Sequence, residues 1–331
     1  MIHVHMKCVG HVKLLMDKFI PHISIIAGVL SEVCSGILNS MSTYDYIALV
    51  YNPQSTPDAA SVAKALAREL ESVHPHLVET KRAGHAAEIA HDVSLKYKHP
   101  LIVSIGGDGG YNEVVNGAMK AKRTSPSSDP TVAVLAAGNA NDHSNALETN
   151  DGSFAQKVLR GKPKGIDLLL LSYGNKRQYA HSYIGFGISA KAGDEINKSK
   201  KGGLNDILTV ANTIYNDNPV RITRHGLSHT YDSLIFLNIP RMAKMPMLAG
   251  KASVHDSKFN LHRISSRGLL ARLSALFHLA LPMRVRTSTY RRYTFTLRRR
   301  EHVQYDGETA TIAARTRVTI TCEPAAIKTI Y

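Results

Sequence analysis

The sequence has no tryptophan, few cysteines and no long apolar run, and each absence excludes a class of protein. Cys8, Cys34 and Cys322 show no paired spacing, so neither a disulfide framework nor a structural zinc site is expected. No apolar run approaches the about 18 residues that a membrane-spanning helix needs. The 331 residues suffice for two modest domains. The sequence therefore predicts a globular protein of the reducing cytoplasm.

Acidic residues are almost missing from one part of the chain. Residues 221–300 hold 16 Lys and Arg against only Asp232 and Asp256, a balance of +14 within a total of +15. A surface of one sign suits anionic lipid, nucleic acid or phosphate-rich ligands. Aromatic residues that could interleave with bases are few there beyond Tyr290 and Tyr293, so nucleic acid is not the expected partner.

The pattern of apolar residues changes near residue 165. Before it, short apolar runs such as Leu101–Ile105 and Val132–Ala136 alternate with segments of helical periodicity. This order predicts a Rossmann-like parallel sheet covered on both faces. After it, strand-like runs such as Ile166–Ser172 are joined by irregular stretches, which predicts a β-rich, sandwich-like part.

The change of pattern suggests a domain division. We expect an N-terminal extension of unknown role, an α/β domain and a β-rich domain, over residues 1–43, 44–165 and 166–319. The tail, about residues 320–331, either extends the second domain or returns to the first. Residues 1–40 are either an accessory amphipathic extension or a misassigned start, because Met41 begins a segment typical of a chain start.

The segment SIGGDGGYNEVVNG, residues 104–117, places Asp108 among four glycines where a buried strand gives way to a helix starting near Tyr111. Glycines let the backbone approach a ligand closely, and a helix N-terminus offers N–H groups to phosphate. The segment is neither a P-loop nor a GxGxxG fingerprint. A carboxylate here would bind a hydroxyl or a metal, or act as a base. A ligand-free Asp-Gly turn is the alternative.

Two further stretches also place polar residues where a predicted strand ends. Residues 136–142, AAGNAND, again combine a buried strand, a glycine and a helix start, although Asn141 and Asp142 alone would be an ordinary helix cap. Loops that follow neighbouring parallel strands face one cleft, so the two segments together favour a nucleotide site. Residues 305–308, YDGE, predict a hairpin turn.

In this order and at these distances, the three stretches resemble the diacylglycerol kinase catalytic family, which includes sphingosine and ceramide kinases. The family's GGDGTxNEVxxG, GTxND and DGE are matched by residues 106–117, 136–142 and 306–308. Smaller matches are NPQS, GHA, GFG and KASVHDSKFNLH, at residues 52–55, 84–86, 185–187 and 251–262. The resemblance spans roughly residues 44–331.

The resemblance implies an ATP- and Mg²⁺-dependent lipid kinase that phosphorylates the hydroxyl of diacylglycerol or a related lipid. It also implies that the α/β domain, of the NAD kinase and phosphofructokinase type, binds ATP and that the β-rich domain binds the lipid substrate. It assigns the base to Asp306, with Glu308 as a metal or network partner and Asp108 as rival base or magnesium ligand. Asp256 would belong to a second, structural magnesium site. The residues implied around ATP are Asn52, Ser55, Thr80, Gly106, Gly107, Asp108, Gly109, Gly110, Asn112, Glu113, Gly138, Asn139, Asn141 and Asp142.

Several positions depart from the family pattern. Gly110 and Asn139 replace threonines whose hydroxyls would touch phosphate, and Ser257 stands where glycine is usual. These departures keep two alternatives open: a soluble kinase that phosphorylates NAD, and a non-catalytic nucleotide-binding regulator. An active lipid kinase remains the main expectation, because the acidic and amide residues of the motifs are present.

The expected partners follow from the same reading. They are a lipid substrate and the anionic inner face of a membrane, contacted peripherally through the basic surface and a predicted amphipathic helix over residues 268–281. Plain core packing is the alternative for that helix. Nucleic acid is not expected. A homodimer would agree with the family, whose members often pair, but the sequence leaves the oligomeric state open.

Overall fold

The structure is a computed structural model, and it describes residues 43–55, 58–137, 142–147, 152–187, 219–242, 245–246, 252–264 and 287–331. The N-terminal extension up to residue 42 and the predicted helix over residues 268–281 lie outside the described residues. The same holds for Gly138, Asn139 and Asn141. Nothing below depends on them.

The first half of the described chain is a parallel α/β sheet. Its strands run in the order β2–β1–β3–β4, and all neighbours among them are parallel. The strand bounds are β1 Tyr46–Tyr51, β2 His76–Glu79, β3 Pro100–Gly106 and β4 Thr131–Ala136. The helices are α1 Ala59–Glu69, α2 His85–Lys96, α3 Asp108–Thr124, α4 Asp142–Leu147 and α5 Phe154–Arg160, with a 3₁₀ turn at Glu71–Val73. Every residue of β3 is buried, as expected for a central strand covered on both faces.

Apolar residues cover both faces of this sheet. On one face, α3 packs Val114 and Ala118 near Ile102 of β3. On the other face, α1 packs Leu66 against Val103. The alternation of side chains along β3 explains why neighbouring residues belong to different clusters. The predicted parallel sheet with two covered faces is confirmed.

The second half is antiparallel. A six-stranded sheet runs in the order β14–β13–β10–β7–β16–β17. The remaining strands extend the first sheet, apart from the short pair β11–β12. The bounds are β5 Lys164–Tyr173, β6 Lys176–Ala180, β7 Tyr183–Gly187, β8 Val220–Arg224, β9 Leu227–Tyr231, β10 Ser233–Leu237, β11 Arg241–Met242, β12 Met245–Pro246, β13 Phe259–Ile264, β14 Thr287–Tyr290, β15 Arg292–Leu297, β16 Glu301–Tyr305, β17 Glu308–Ile312 and β18 Arg317–Thr329.

The six-stranded sheet and the antiparallel part of the ten-stranded sheet enclose an aromatic core. Phe236 of β10 has ring centroids 6.2 Å from Phe186, 5.7 Å from Tyr293 and 6.4 Å from Phe295. Such rings bury large apolar areas and contribute most of the packing energy of a small sandwich. The predicted β-rich part is therefore confirmed as a second layered core.

One long strand joins the halves. β18 pairs with β15 through its first five residues, with β4 through Lys328, and with β5 on its other side. The ten-stranded sheet is thus continuous from the parallel to the antiparallel part. Residues Tyr44–Tyr331 form one compact unit. The division near residue 165 marks a change of strand direction, and its use as a domain boundary stays a prediction.

Candidate active site

The predicted ligand-binding loops meet at one edge of the parallel sheet. Tyr51 at the end of β1 is in register with Glu79 of β2 and Ile105 of β3, and Gly106 is in register with Ala136 of β4. The loops that follow these residues therefore leave the sheet side by side. This edge, at the carboxyl ends of the strands, is where open α/β sheets bind ligands.

The glycine-rich segment differs from the predicted loop. Helix α3 begins at Asp108 and not near Tyr111, so Asp108, Gly109 and Gly110 form its first turn. The N-cap is Gly107, which has no side chain and so makes no side-chain cap hydrogen bond. The first N–H groups of α3 therefore have no side-chain acceptor from the cap and suit a phosphate group.

The Asn52 loop lies against this segment. The Ser55 hydroxyl donates to the Asn52 carbonyl at 2.8 Å, and the Asn52 side chain accepts from the Gln54 N–H at 2.9 Å. A Cβ placed on Gly106 would lie 3.7 Å from the Ser55 Oγ. Thr80 is tied to the same edge, because its N–H donates to the Tyr51 carbonyl at 2.9 Å. The structure thus brings together Asn52, Ser55, Thr80 and Gly106, as the sequence predicts.

The substituted position Gly110 is exposed and leaves some room. A Cβ placed there would lie 3.4 Å from the Ser104 Oγ, a contact that a hydroxyl group can yield to. Packing therefore does not require glycine at this position. The replacement of threonine removes one hydroxyl group from the site. The second substituted position, Asn139, lies outside the described residues. Of Asp142, only its place at the start of α4 is described.

Asp306 occupies the two-residue turn between β16 and β17, as the YDGE motif predicts. It has φ +48° and Gly307 has φ +92°, the left-handed values that a tight hairpin requires. Its carboxylate is 1% exposed and accepts four hydrogen bonds. The donors are the N–H groups of His181, Ser182 and Tyr183, at 2.5, 3.0 and 2.9 Å, and the Asn112 amide at 3.0 Å.

Four donors saturate the lone pairs of this carboxylate. Burial raises the pKa of the Asp306 carboxyl, while the nearby His181 ring and the N–H groups of Tyr183 and His181 lower it. The charge of Asp108 raises it further, so the two carboxylates lie close enough to interact. A carboxylate held in this way fixes the β6–β7 turn beside Asp108.

Asn112 and Glu113 of α3 also hold the surrounding elements. Asn112 donates to the Tyr179 carbonyl at 2.9 Å as well as to Asp306, which ties β6 to α3. The two oxygens of Glu113 accept from the N–H groups of Gly84 and Ala86, at 2.9 and 3.1 Å. Glu113 therefore caps α2 and fixes the GHA segment. The structure gives both residues a positioning role toward the site.

Two histidines at the centre of the site were missed by the sequence reasoning. The His181 Nε2 lies 3.3 Å from the Asp306 carboxylate and 3.3 Å from the Asp108 carbonyl oxygen. The His143 ring packs against both His181 and Tyr111, with centroids 4.4 and 5.0 Å away, and those two rings are 4.7 Å from each other. Burial, followed by the charge of His181, holds the pKa of His143 well below its usual range. His143 directly follows the AAGNAND motif, which was the available signal; His181 had none.

Asp108 and Glu308 are the more accessible carboxylates. Asp108 is half-buried, and its Oδ1 accepts from the His143 N–H at 3.4 Å. Glu308 is exposed and reaches toward α3, since a Cβ on Gly109 would lie 3.8 Å from its Oε1. Partial burial and the charge of Glu113 raise the pKa of Glu308. The structure therefore brings Asp108, Glu308 and Asp306 to one side of the α3 N-terminus.

The turn that carries Asp256, the predicted ligand of a structural metal, is held by a different carboxylate. Asp167, buried and not predicted from the sequence, accepts from the N–H groups of Ser257 and Ala325 at 2.6 and 2.9 Å. Asp256 is exposed and accepts from the Lys258 N–H at 2.9 Å. Within the described ranges, no three His, Cys, Asp or Glu side chains group as metal ligands. Magnesium often binds through one or two carboxylates plus phosphate oxygens, a set that Asp108 fits.

The fold and the site together define a class: an α/β half joined to a β-sandwich half, with carboxylates where the two meet. Residues 46–171 match the family described as diacylglycerol kinase catalytic domain. The predicted resemblance is thus confirmed over this segment, which is similar to the catalytic domain of that family.

Individual relatives agree with this assignment. The chain is 29% identical over 116 residues to sphingoid long chain base kinase 4 of Schizosaccharomyces pombe, a match that covers 34% of the chain and 25% of the relative. The chain thus spans about a quarter of the length of that curated relative.

Solved structures share the fold. A diacylglycerol kinase from Bacillus anthracis str. Sterne superposes with a TM-score of 0.63 at 18% identity, covering 88% of this chain and 98% of its own. A second structure from the same organism gives 0.65 at 19% identity, with 88% and 98% covered. Across the described part of the chain, no helix has the length and apolar character to cross a bilayer.

Proposed function

We propose that this chain transfers the γ-phosphoryl group of ATP, with Mg²⁺, to the hydroxyl group of a lipid such as diacylglycerol or a sphingoid base. The observation that carries the proposal is the half-buried Asp108 in the first turn of α3, a helix whose N-cap is a glycine without a side chain. The family match and the names of the relatives support a lipid acceptor.

The residues divide the work as follows. The N–H groups of the first turn of α3 bind phosphate oxygens, and Ser55 and Thr80 line the same edge. ATP supplies the phosphoryl group, and Mg²⁺ neutralises charge on it. Asp108 orients the acceptor hydroxyl and takes its proton. Asp306 is less suited to this step, because its carboxylate already accepts four hydrogen bonds.

Asp306, in this proposal, is a positioning residue. It holds the β6–β7 turn, and through it His181, against the first turn of α3. The two halves of the protein therefore present their carboxylates across one junction. Closure of such a junction around substrate would exclude water and limit ATP hydrolysis.

The test is transfer of label from γ-labelled ATP into lipids in mixed micelles with magnesium. Asp108→Asn should lower kcat by about 10²–10⁴, the usual contribution of a general base, with the melting temperature unchanged. The matched control is Asp58→Asn, which alters an exposed carboxylate before α1 that makes no side-chain cap. Equal loss in both variants, or full activity of Asp108→Asn, would contradict the role of Asp108.

The same assay separates the competing functions. Label that enters NAD and no lipid would indicate a soluble-substrate kinase. ATP binding without any turnover would indicate a regulator, for which the lost hydroxyl at Gly110 is the specific motive. Label in one lipid of a panel of diacylglycerol, sphingoid bases and ceramide would identify the acceptor.

A further inference from the structure

Over β18, β15 and β8, the antiparallel part of the ten-stranded sheet has one face in the sandwich core and one that is partly or fully exposed. On β5 and β6 the second face is partly covered, because Leu168, Leu170 and Tyr179 pack in one core cluster with α3. On β15, Tyr293 and Phe295 point into the sandwich core, as do Val318 and Ile320 on β18. The residues between them project from the opposite face, because side chains alternate along a strand. Register then carries this face across β8 and β6.

Arginine is the charged residue of that outer face. Five arginines occupy outward positions on or directly after its strands, and all five are exposed: Arg177, Arg221, Arg292, Arg298 and Arg317. Between them stand threonines, for example Thr294 and Thr319, whose hydroxyls are 3.1 Å apart. We call this surface the arginine face.

Negative charge is scarce on the arginine face. Glu323 is the acidic residue among the described outward positions, and it contacts Arg177 at 3.3 Å. Arg298 is directly opposite Arg221, because its N–H donates to the Arg221 carbonyl at 2.9 Å and the neighbouring pairs Leu297–Ile222 and Thr296–Thr223 fix the register. Like charges directly opposite each other destabilise a sheet, so the pair calls for a binding role.

Cations continue past the edge of the face. Arg177 also lines a cavity of about 440 Å³ between α2, α3 and β6, together with Lys120 and Arg123. Two carboxylates share this cavity and have partners of their own: Glu88 binds Arg82 at 2.7 Å, and Asp92 contacts the adjacent His91 at 3.0 Å. The positive surface therefore extends from β8 to α3.

We propose that the arginine face docks the protein on an anionic lipid bilayer. A flat face with many arginines and few acids complements a planar array of phosphates. Bases of nucleic acid would need exposed aromatic rings, and the described outward positions offer only Tyr179, which is buried. The proposal rests on the proposed function for its purpose, since a lipid kinase must reach a bilayer, but binding requires neither ATP nor turnover.

The experiment is sedimentation of the full chain with vesicles, without ATP. One set contains phosphatidylcholine and phosphatidylglycerol, and the other phosphatidylcholine alone. The double variant R221Q/R292Q removes two charges from the face, and K64Q/R68Q removes two exposed charges from α1 as the matched control. Near a surface each arginine is worth about a factor of five, so the first variant should bind anionic vesicles about 30-fold more weakly.

We expect the protein to bind anionic vesicles only, and salt should weaken this binding. The R221Q/R292Q variant should show the loss of affinity of about 30-fold, and the K64Q/R68Q control should bind as the unmodified protein does. Equal binding by both variants, equal binding to neutral vesicles, or no binding at all would overturn the proposal. Retention on duplex DNA but not on vesicles would also overturn it and assign the face to nucleic acid. Because transfer into micelles is a separate assay, a kinase that fails to dock and a docking protein without kinase activity are distinguished.

Discussion

At the scale of the residue, the structure explains substitutions that the sequence could only record. Ser257 has φ +58°, within the left-handed region that glycine adopts without cost. This conformation accounts for glycine at the corresponding place in the family pattern. The serine is tolerated because its N–H donates to the buried Asp167 at 2.6 Å, which holds the turn.

This strain predicts opposite effects of two substitutions. Ser257→Gly should leave the free energy of unfolding equal or slightly higher, because relief of the left-handed strain exceeds the added entropy of the unfolded chain. Ser257→Val should lower it by about 1–2 kcal/mol, because a β-branched residue is strongly disfavoured there. Urea unfolding measures both. The control is Ser172→Val, at an extended position of β5, which should cost little; similar losses at both sites would contradict this account.

At the scale of the element, the last glycine of the signature sets the approach of two helices. A Cβ on Gly117 of α3 would lie 2.1 Å from the Ala87 carbonyl oxygen of α2. No side chain can occupy that space, and backbone cannot yield as a flexible side chain can. The sequence marked Gly117 only as part of a motif, and its reason is helix packing rather than ligand binding.

Gly117→Ala should therefore destabilise the protein by about 2–3 kcal/mol through overpacking, although alanine favours helix. The control in the same helix is Gly109→Ala, where the new Cβ meets its nearest contact at 3.8 Å. That variant should unfold at equal or higher urea concentration. If Gly117→Ala were as stable as Gly109→Ala, the close approach of α2 and α3 would not depend on glycine at this position.

Elements with local signals were predicted well, and elements made by distant pairing were not. The periodicity around Leu66 and the apolar run of β3 fixed their elements to within a few residues. The union of β18 with β4, β5 and β15 could not be read from sequence, because register between distant strands leaves no local pattern. For the same reason His181 and Asp167 were missed, and the sequence predicted a basic surface without showing which strands form it.

At the scale of the whole molecule, buried histidines couple stability to pH. Burial lowers the pKa of His262 to about 4, and it also lowers the pKa of His143. Both are neutral in the folded protein but take up protons in the unfolded chain below about pH 6.5. Their contribution to stability is therefore complete above that pH and is lost as the pH falls toward 4.

We expect the free energy of unfolding to fall between about pH 6.5 and 4, by about 1–3 kcal/mol for His262 alone. His262→Leu should flatten this dependence and leave part of it, because His143 remains. The measurement is urea unfolding at a series of pH values. His302→Gln, at an exposed position of β16, is the control. An unchanged pH slope in His262→Leu would show that folding does not lower the pKa of this histidine.

The long strand β18 has a consequence for synthesis. Its partners β4, β5 and β15 all precede it in the chain, and β4 and β5 do not pair with each other without it. While the ribosome is still synthesising the β-rich half, the edge of β4 that later pairs with β18 remains unpaired. The parallel sheet and the sandwich core are therefore completed together, after the strand that both share has emerged.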